Sequence, residues 1–181
     1  MASKIIVDQV QKSGGTAFTL PTSDGSVNQL MKTDGSGNLG FVSSAVGGKV
    51  LQLLEHNLSS VISSTSTSYV ASGLTITVTP ASTASKFLLT LAGGEGYNTA
   101  SGDYLYITFY VDGSEVSDTG PYERSRWSGD DRSPHSALCL HSPSTTSATT
   151  YTVYYKVGTG TGYFNSTSGI RVEFTVMELS S

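Results

Sequence analysis

The clearest structural pattern in the chain is the stretch Ile170-Arg171-Val172-Glu173-Phe174-Thr175-Val176-Met177-Glu178-Leu179. Within it, apolar Val172, Phe174 and Val176 alternate with polar side chains. Alternation with a period of two is the pattern of a β-strand that buries one of its faces. We therefore predict a strand here, with Phe174 and Val176 directed into a core.

Similar strand patterns fill the chain beyond residue 48, separated by glycine-rich turns. Asp112-Gly113, which follows the strand 103–111, is a strong signal for a two-residue hairpin turn. We predict long strands near 49–58, 68–79, 85–92, 103–111, 135–141, 149–157 and 169–179, and shorter ones near 114–117 and 161–165. The stretch 50–55 could also be helical, but its neighbours favour a strand.

Seven to nine strands without helical crossover segments predict an all-β fold, an antiparallel β-sandwich of the jelly-roll type. An immunoglobulin-like Greek key is the alternative, but the chain lacks the Cys…Trp…Cys spacing of those domains. The single cysteine, Cys139, excludes an internal disulfide and is predicted to be a small buried apolar residue.

The first 46 residues have a different composition, with short apolar runs between turns. Ser23-Asp24-Gly25-Ser26 is followed ten residues later by Thr33-Asp34-Gly35-Ser36, which predicts short strands joined by hairpins. A segment of this size has too few apolar side chains to close a core and leaves strand edges unpaired. We therefore predict two domains, an attachment and trimerisation segment (1–46) and a β-sandwich head (47–181), with a linker near 43–48. A flexible arm is the alternative for residues 1–46.

Composition and charge exclude several classes of protein. The net charge is −4, and charged residues make up 13% of the chain, without a basic stripe that could follow a nucleic acid. No stretch approaches the roughly 20 apolar residues of a membrane span. The start of the chain does not have the pattern of a signal peptide. We therefore expect synthesis in a host cytoplasm, without nucleic-acid binding or membrane insertion.

Several stretches resemble the small trimeric, fiber-like virion proteins of tailed phages of aquatic bacteria, such as cyanophage tail fibers. The N-terminal Lys4-Ile5-Ile6-Val7-Asp8 and the segment 19–26 are similar to their attachment segments, as is Gly40-Phe41-Val42. The head is similar in five stretches: Gly48-Lys49-Val50-Leu51-Gln52, residues 67–70, residues 77–82, residues 85–89, and Thr175-Val176-Met177-Glu178-Leu179. The resemblance implies a homotrimer in the virion, bound to other virion proteins, with a jelly-roll head similar to those of C1q and tumour necrosis factor.

The segment 117–134 is the most promising candidate for a contact surface, and we predict it to be a long loop. It holds the only tryptophan, three arginines and four acidic residues of a chain that is poor in charge. Such side chains are frequent in binding surfaces. The loop could cover its own sandwich, contact a neighbouring subunit, or bind a receptor or host glycan. The candidate residues are Tyr122, Arg124, Arg126, Trp127, Asp130, Asp131 and Arg132.

Tyrosines are a second feature that a sugar-binding protein could use. We expect them mainly in the core or in a subunit interface, where a ring can be buried while its hydroxyl stays hydrated. A stacking platform for sugars or bases is the alternative. The tyrosines concerned are Tyr104, Tyr106, Tyr110, Tyr151, Tyr154, Tyr155 and Tyr163.

No set of residues has the spacing of a catalytic or metal site. The three histidines stand in unrelated contexts, and Asp130-Asp131 lacks the calcium-loop pattern around it. We therefore expect no enzymatic activity, no cofactor and no metal. The leading hypothesis is a short tail fiber or fiber-like virion protein that trimerises and contacts the host surface. A capsid decoration protein is the alternative, and a standalone carbohydrate-binding protein or hydrolase is the third hypothesis.

Overall fold

The computed structural model describes residues 7–11, 13–43, 48–116, 122–126 and 131–180. The chain divides into two compact units, residues 1–46 and 47–181. All regular elements in the described ranges are β-strands, which confirms the predicted all-β fold. Those ranges hold no helix that is long and apolar enough to cross a membrane. Most of the predicted linker, residues 44–47, lies outside them.

The first unit consists of two antiparallel hairpins. Strand β1 (Gln9–Gln11) pairs with β2 (Ala17–Thr19), and β3 (Gln29–Thr33) pairs with β4 (Leu39–Ser43). None of the strand residues in this unit is buried within the unit itself. The unit has the short strands that the sequence predicts and, within the described residues, no core of its own.

The two Asp-Gly pairs of the first unit have different structures. Asp34-Gly35 lies in the turn between β3 and β4, where the Asp34 carboxylate accepts hydrogen bonds from the backbone N–H groups of Ser36 and Asn38. Asp24-Gly25 lies in the connection between β2 and β3 and forms no hairpin. A Cβ at Gly25 would meet the Phe41 ring at 2.5 Å. The prediction of a hairpin at both positions is therefore wrong for the first, where glycine gives room to an aromatic ring.

The second unit contains eleven strands in its described residues. The assignment of 50–55 to a strand is confirmed. The strands are β5 (Val50–Leu58), β6 (Ile62–Ser64), β7 (Val70–Val78), β8 (Lys86–Asn98), β9 (Tyr104–Val111), β10 (Ser114–Glu115), β11 (Glu123–Arg126), β12 (Ser133–His141), β13 (Thr149–Val157), β14 (Gly162–Asn165) and β15 (Val172–Leu179).

These strands form two sheets. In the five-stranded sheet, β7 pairs with β13 and β13 with β9, and the far edge of β9 pairs with both β10 and β11. In the six-stranded sheet, β5 pairs with β15, and β15 pairs with β8. The other side of β8 pairs with β12 along most of its length and with β14 at the C-terminal end of β8. Strand β6 pairs with the far side of β14. Consecutive long strands alternate between the sheets from β5 to β9 and again from β12 to β15, which is the connectivity of a jelly roll. The jelly-roll prediction is confirmed.

The core lies between the two sheets. Phe109 and Phe174, from opposite sheets, stack with ring centroids 5.8 Å apart. Phe87 and Tyr151, also from opposite sheets, are tilted against each other with ring centroids 5.7 Å apart. Phe174 and Val176 are fully buried, so the inward face predicted for β15 is correct. Cys139 is buried, as predicted.

Strand β8 is longer than its sequence pattern predicts because it continues through a bulge. Gly93 and Gly94 both have positive φ, which a residue with a side chain rarely adopts. A Cβ at Gly93 would lie 2.7 Å from the Arg171 carbonyl oxygen. Before the bulge the odd-numbered residues of β8 are buried, whereas Gly94, Gly96 and Asn98 are buried after it. The bulge therefore exchanges the inward and outward sides of the strand.

Candidate functional site

The segment predicted as a loop at 117–134 contains a strand. Residues 123–126 form β11, which pairs antiparallel with 104–107 of β9. The side chains of Arg124 and Arg126 are exposed, whereas Glu123 and Ser125 are partly buried on the inward side. The candidate residues Trp127 and Asp130 lie outside the described residues. A long loop is thus corrected to a short edge strand that presents two arginines.

Tyr122, another candidate, is directed into the sandwich. Its ring centroid lies 5.2 Å from that of Phe109, and its hydroxyl oxygen lies 3.0 Å from the Cys139 sulfur, which donates a hydrogen bond to it. The residue packs against the core cluster. Its contacts are therefore structural ones within the head.

Arg132 lies on the other sheet. It forms an ion pair of 3.1 Å with Glu95 of β8, and its guanidinium carbon lies 5.4 Å from the centroid of the Tyr97 ring. Asp131, beside it in the chain, is exposed. The structure therefore separates the arginines that the sequence groups together, with Arg124 and Arg126 on the five-stranded sheet and Arg132 on the six-stranded sheet.

Tyrosines and basic side chains cover the outward side of the five-stranded sheet. The register of β9, β11 and β13 places Arg124 beside Tyr106, and Tyr106 beside Lys156. We call this surface the tyrosine face, made of Tyr69, Tyr104, Tyr106, Tyr110, Tyr154, Arg124, Arg126 and Lys156. The predicted tyrosine cluster is divided by the sandwich: Tyr151 and Tyr155 lie in the core. Tyr163 lies in the six-stranded sheet, where its ring is tilted against that of Tyr97 with centroids 5.7 Å apart.

The cations of the tyrosine face lie over its rings. The Arg124 guanidinium carbon is 3.8 Å from the Tyr104 ring centroid, and the Lys156 Nζ is 4.5 Å from that of Tyr69. Cation–π contacts of this kind hold long side chains in place while leaving their charge uncompensated. The rings themselves form a band: Tyr110 and Tyr154 stack at 4.0 Å. Arg126 is held differently, by donating from Nε to the Gly102 carbonyl at 2.9 Å.

Arg124 and Arg126 place two basic side chains at the β11 side of the face. Among the described residues, no carboxylate forms an ion pair with Arg124, Arg126 or Lys156. The Glu115 carboxylate accepts a hydrogen bond of 2.7 Å from Thr108. Burial, with the charge of Glu115 adding to it, raises the pKa of Tyr69 to about 12. The Tyr69 hydroxyl is therefore neutral at physiological pH and can act as a hydrogen-bond donor.

A buried ion pair holds β11 in position. Glu123 Oε1 lies 2.9 Å from His135 Nδ1, and His135 Nε2 lies 2.7 Å from the carbonyl oxygen of Phe164. Burial alone would raise the pKa of Glu123, but the hydrogen bond and charge of His135, together with Ser125 and the Ser136 N–H, hold it below its usual range. The imidazole is thus held between the Glu123 carboxylate and a backbone carbonyl oxygen.

The outward side of the six-stranded sheet has the opposite character. Strand register aligns Leu53, Met177, Leu88 and Leu140 in one row across β5, β15, β8 and β12. Leu53, Leu138 and Leu140 leave between 55% and 67% of their surface exposed. We call this surface the leucine face, made of Leu51, Leu53, Leu88, Leu138, Leu140, Met177 and Leu179. Apolar surface gathered on one side of a soluble domain marks an interaction site.

No group of three or more His, Cys, Asp or Glu side chains that could hold a metal ion occurs among the residues with described positions. The two faces are thus the main features of the described head that could bind another molecule.

Comparison with known proteins gives distant matches among solved structures. No family model and no curated protein matches the sequence. Among solved structures, the Gt strain of infectious bursal disease virus matches with a TM-score of 0.38 and 10% identity, over 78% of this chain and 44% of that one. The VP2 subviral particle of the same virus matches with a TM-score of 0.36 and 11% identity, over 91% and 50%. This chain thus spans about half the length of those chains or less, and likeness at this level carries no argument about function.

Proposed function

We propose that the protein is a structural, non-enzymatic component of a bacteriophage virion: a homotrimeric short tail fiber or fiber-like protein. In this proposal residues 1–46 attach the protein to other virion proteins and help it to trimerise. The jelly-roll head is exposed on the particle and contacts the host surface. Support comes from the resemblance of both segments to phage fiber proteins, and above all from the leucine face.

The leucine face supports self-association because its composition is that of an interface. Exposing several large apolar side chains on one sheet is unfavourable in water, at roughly 25 cal/mol for each Å² of apolar surface. Covering the face with a second copy removes that cost, and a closed trimer covers the same face in every subunit. The charged side chains near the face are Lys86, which is exposed beside Leu179, and Arg171, which pairs with Glu55 and Glu173 within the subunit.

The first unit supports the same conclusion independently. Val27, Leu30 and Met31 are all more than half exposed in a unit whose strand residues are not buried. Segments of this size gain stability by oligomerisation when disulfides and metals do not supply it. Three copies of the segment could pair their edges and cover these side chains.

Sedimentation of the purified full-length chain tests the trimer and the face together. We expect a trimer at micromolar concentration, and dissociation when Leu138 and Leu140 are both changed to Gln. These two side chains are largely exposed, so the variant should still fold, which circular dichroism can verify. The control is Thr75→Gln with Thr77→Gln, two exposed positions on the opposite sheet, which should leave the trimer intact. A wild-type monomer would refute the proposal.

Location on the particle tests the fiber assignment. Gold-labelled antibodies against the head should mark the tail in electron micrographs of the phage. Label distributed over the capsid would instead indicate a decoration protein, for which the same trimer and attachment segment would serve.

A further inference from the structure

We propose that the tyrosine face binds an acidic polysaccharide, a chain of sugar rings that carry carboxylates. The inference rests on the proposed function in one respect, since it takes the head to be exposed on the particle with its leucine face covered by other copies. The two faces lie on opposite sheets of the sandwich, so covering one leaves the other open.

The shape of the face suits an extended, ring-containing ligand. Tyr104, Tyr106 and Tyr110 lie along β9, and six residues of strand extend about 20 Å. Tyr104 and Tyr106 have ring centroids 5.8 Å apart, and Tyr69 lies 6.2 Å from Tyr110. These rings are half-buried and carry hydroxyls that can exchange hydrogen bonds with sugar hydroxyls. The apolar C–H side of a sugar ring can pack on these aromatic rings without taking a charged group out of water.

The charges at the β11 side of the face select an anion, since the carboxylate of Glu115 lies toward the other end, beside Tyr110. Arg132 and Arg171 are each paired with glutamates. Arg124, Arg126 and Lys156 instead contact rings or a backbone carbonyl, with no carboxylate partner among the described residues. A guanidinium donates two parallel hydrogen bonds to a carboxylate, which is the strong geometry for this group. The face therefore offers cations beside rings, as a chain of acidic sugars requires.

A sugar polymer fits better than a nucleic acid. A duplex carries a charge for about every 1.7 Å of its axis, and affinity comes from neutralising many phosphates at once. Three cations on a protein of net charge −4 supply little of that attraction. A polysaccharide with carboxylates separated by sugar rings needs fewer cations and uses the tyrosines between them.

Binding of purified full-length protein to three polymers tests the inference. Polygalacturonate carries both rings and carboxylates, dextran carries rings alone, and polyglutamate carries carboxylates alone. We expect wild type to bind polygalacturonate at least about tenfold more tightly than either of the others, a difference of about 1.4 kcal/mol. The affinity should fall with added salt. Equal binding of polyglutamate would overturn the inference in favour of charge alone, and absence of binding to polygalacturonate would overturn it outright.

Variants test the location. Arg124→Gln combined with Lys156→Gln should weaken polygalacturonate binding by about tenfold or more, while the matched control Arg171→Gln on the opposite sheet should not. If the double variant binds as wild type does, the site is elsewhere and the inference fails. Sedimentation of the same samples distinguishes failure of polysaccharide binding from failure of the proposed trimer. A trimer that binds no polymer refutes only the binding inference. A monomer that binds polygalacturonate refutes only the trimer.

Discussion

His135 is fully enclosed, and its two ring nitrogens both face acceptors. Its imidazole stacks on Phe164 at 4.8 Å between centroids, and its Nδ1 lies 2.9 Å from Glu123 Oε1. Removing one partner leaves a buried polar group without its hydrogen bond, which usually costs about 1–3 kcal/mol. The pair therefore fixes the inward side of β11, while Arg124 and Arg126 occupy the outward side. The position of the proposed glycan-binding arginines thus depends on a core interaction.

Changing Glu123 to Gln should alter the response of stability to acid. The pKa of Glu123 is lowered by folding, so its contribution to stability is present above its ordinary value of 4.5 and is lost as the pH falls through the lower folded value. Wild type should therefore lose more of its free energy of unfolding below about pH 4.5 than Glu123→Gln does. Urea denaturation across pH 3 to 7 measures the difference. Parallel pH curves for the two proteins would contradict the ion pair.

Gly93 and Gly94 control the course of β8, the strand that joins most of the six-stranded sheet. Changing Gly93 to Ala should cost more stability than changing Gly113 to Ala, although both have positive φ, at 79° and 84°. A positive φ costs an ordinary residue roughly 1–2 kcal/mol. At Gly113 nothing lies within 4 Å of the added Cβ, whereas at Gly93 the Arg171 carbonyl oxygen lies 2.7 Å away. Urea denaturation of both variants isolates this steric difference, and equal losses would show that β15 can move away.

How far the sequence predicts these elements depends on whether a strand has an apolar side. Strands β9 and β15 alternate apolar and polar residues, and both were predictable to within a few residues. Strand β11 reads Glu-Arg-Ser-Arg, which has no apolar side, and it forms because the edge of β9 offers it hydrogen bonds. The second half of β8 was missed because the bulge breaks its period.

The candidate site was predictable in composition and not in arrangement. Arginine content singles out Arg124, Arg126 and Arg132, but only strand pairing shows that Arg132 lies on the other sheet. Tyr122 belongs to the core although it precedes β11 and has the same parity as outward-facing Arg124, so neither a predicted loop nor the alternation of β11 indicates its direction. Lys156 and Tyr69 were missed, since Lys156 lies beside Tyr106 only through the pairing of β13 with β9, and the Lys156 Nζ lies over the Tyr69 ring only in the folded head. The alternation of Thr152, Tyr154 and Lys156 in β13 was the available signal.

The head presents different chemistry on its two sheets, and the proposed trimerisation and the proposed glycan binding each use one of them. Exposed apolar residues in β3 should contribute to the trimer as well. Changing Leu30 and Met31 to Ser should convert an SDS-resistant trimer band into a monomer band, because serine removes the apolar surface that copies would cover. The control Lys32→Ser, exposed in the same strand, should retain the trimer band. The thermal unfolding of the head should be unchanged in both, and an SDS-resistant Leu30/Met31 variant would exclude β3 from the contact.

The bulge in β8 also has a consequence for insertions and deletions. The two glycines change which residues of β8 face the core. Even-numbered positions before the bulge and odd-numbered positions after it are therefore the ones that can accept a charge. Deleting one of the two glycines would remove the extra residue of the bulge, so that Glu95 and Tyr97 would stay outward and Asn98 inward in a strand of one regular period. An insertion or deletion of one residue elsewhere in β8 would instead move the positions between it and the nearer end of the strand to the opposite face.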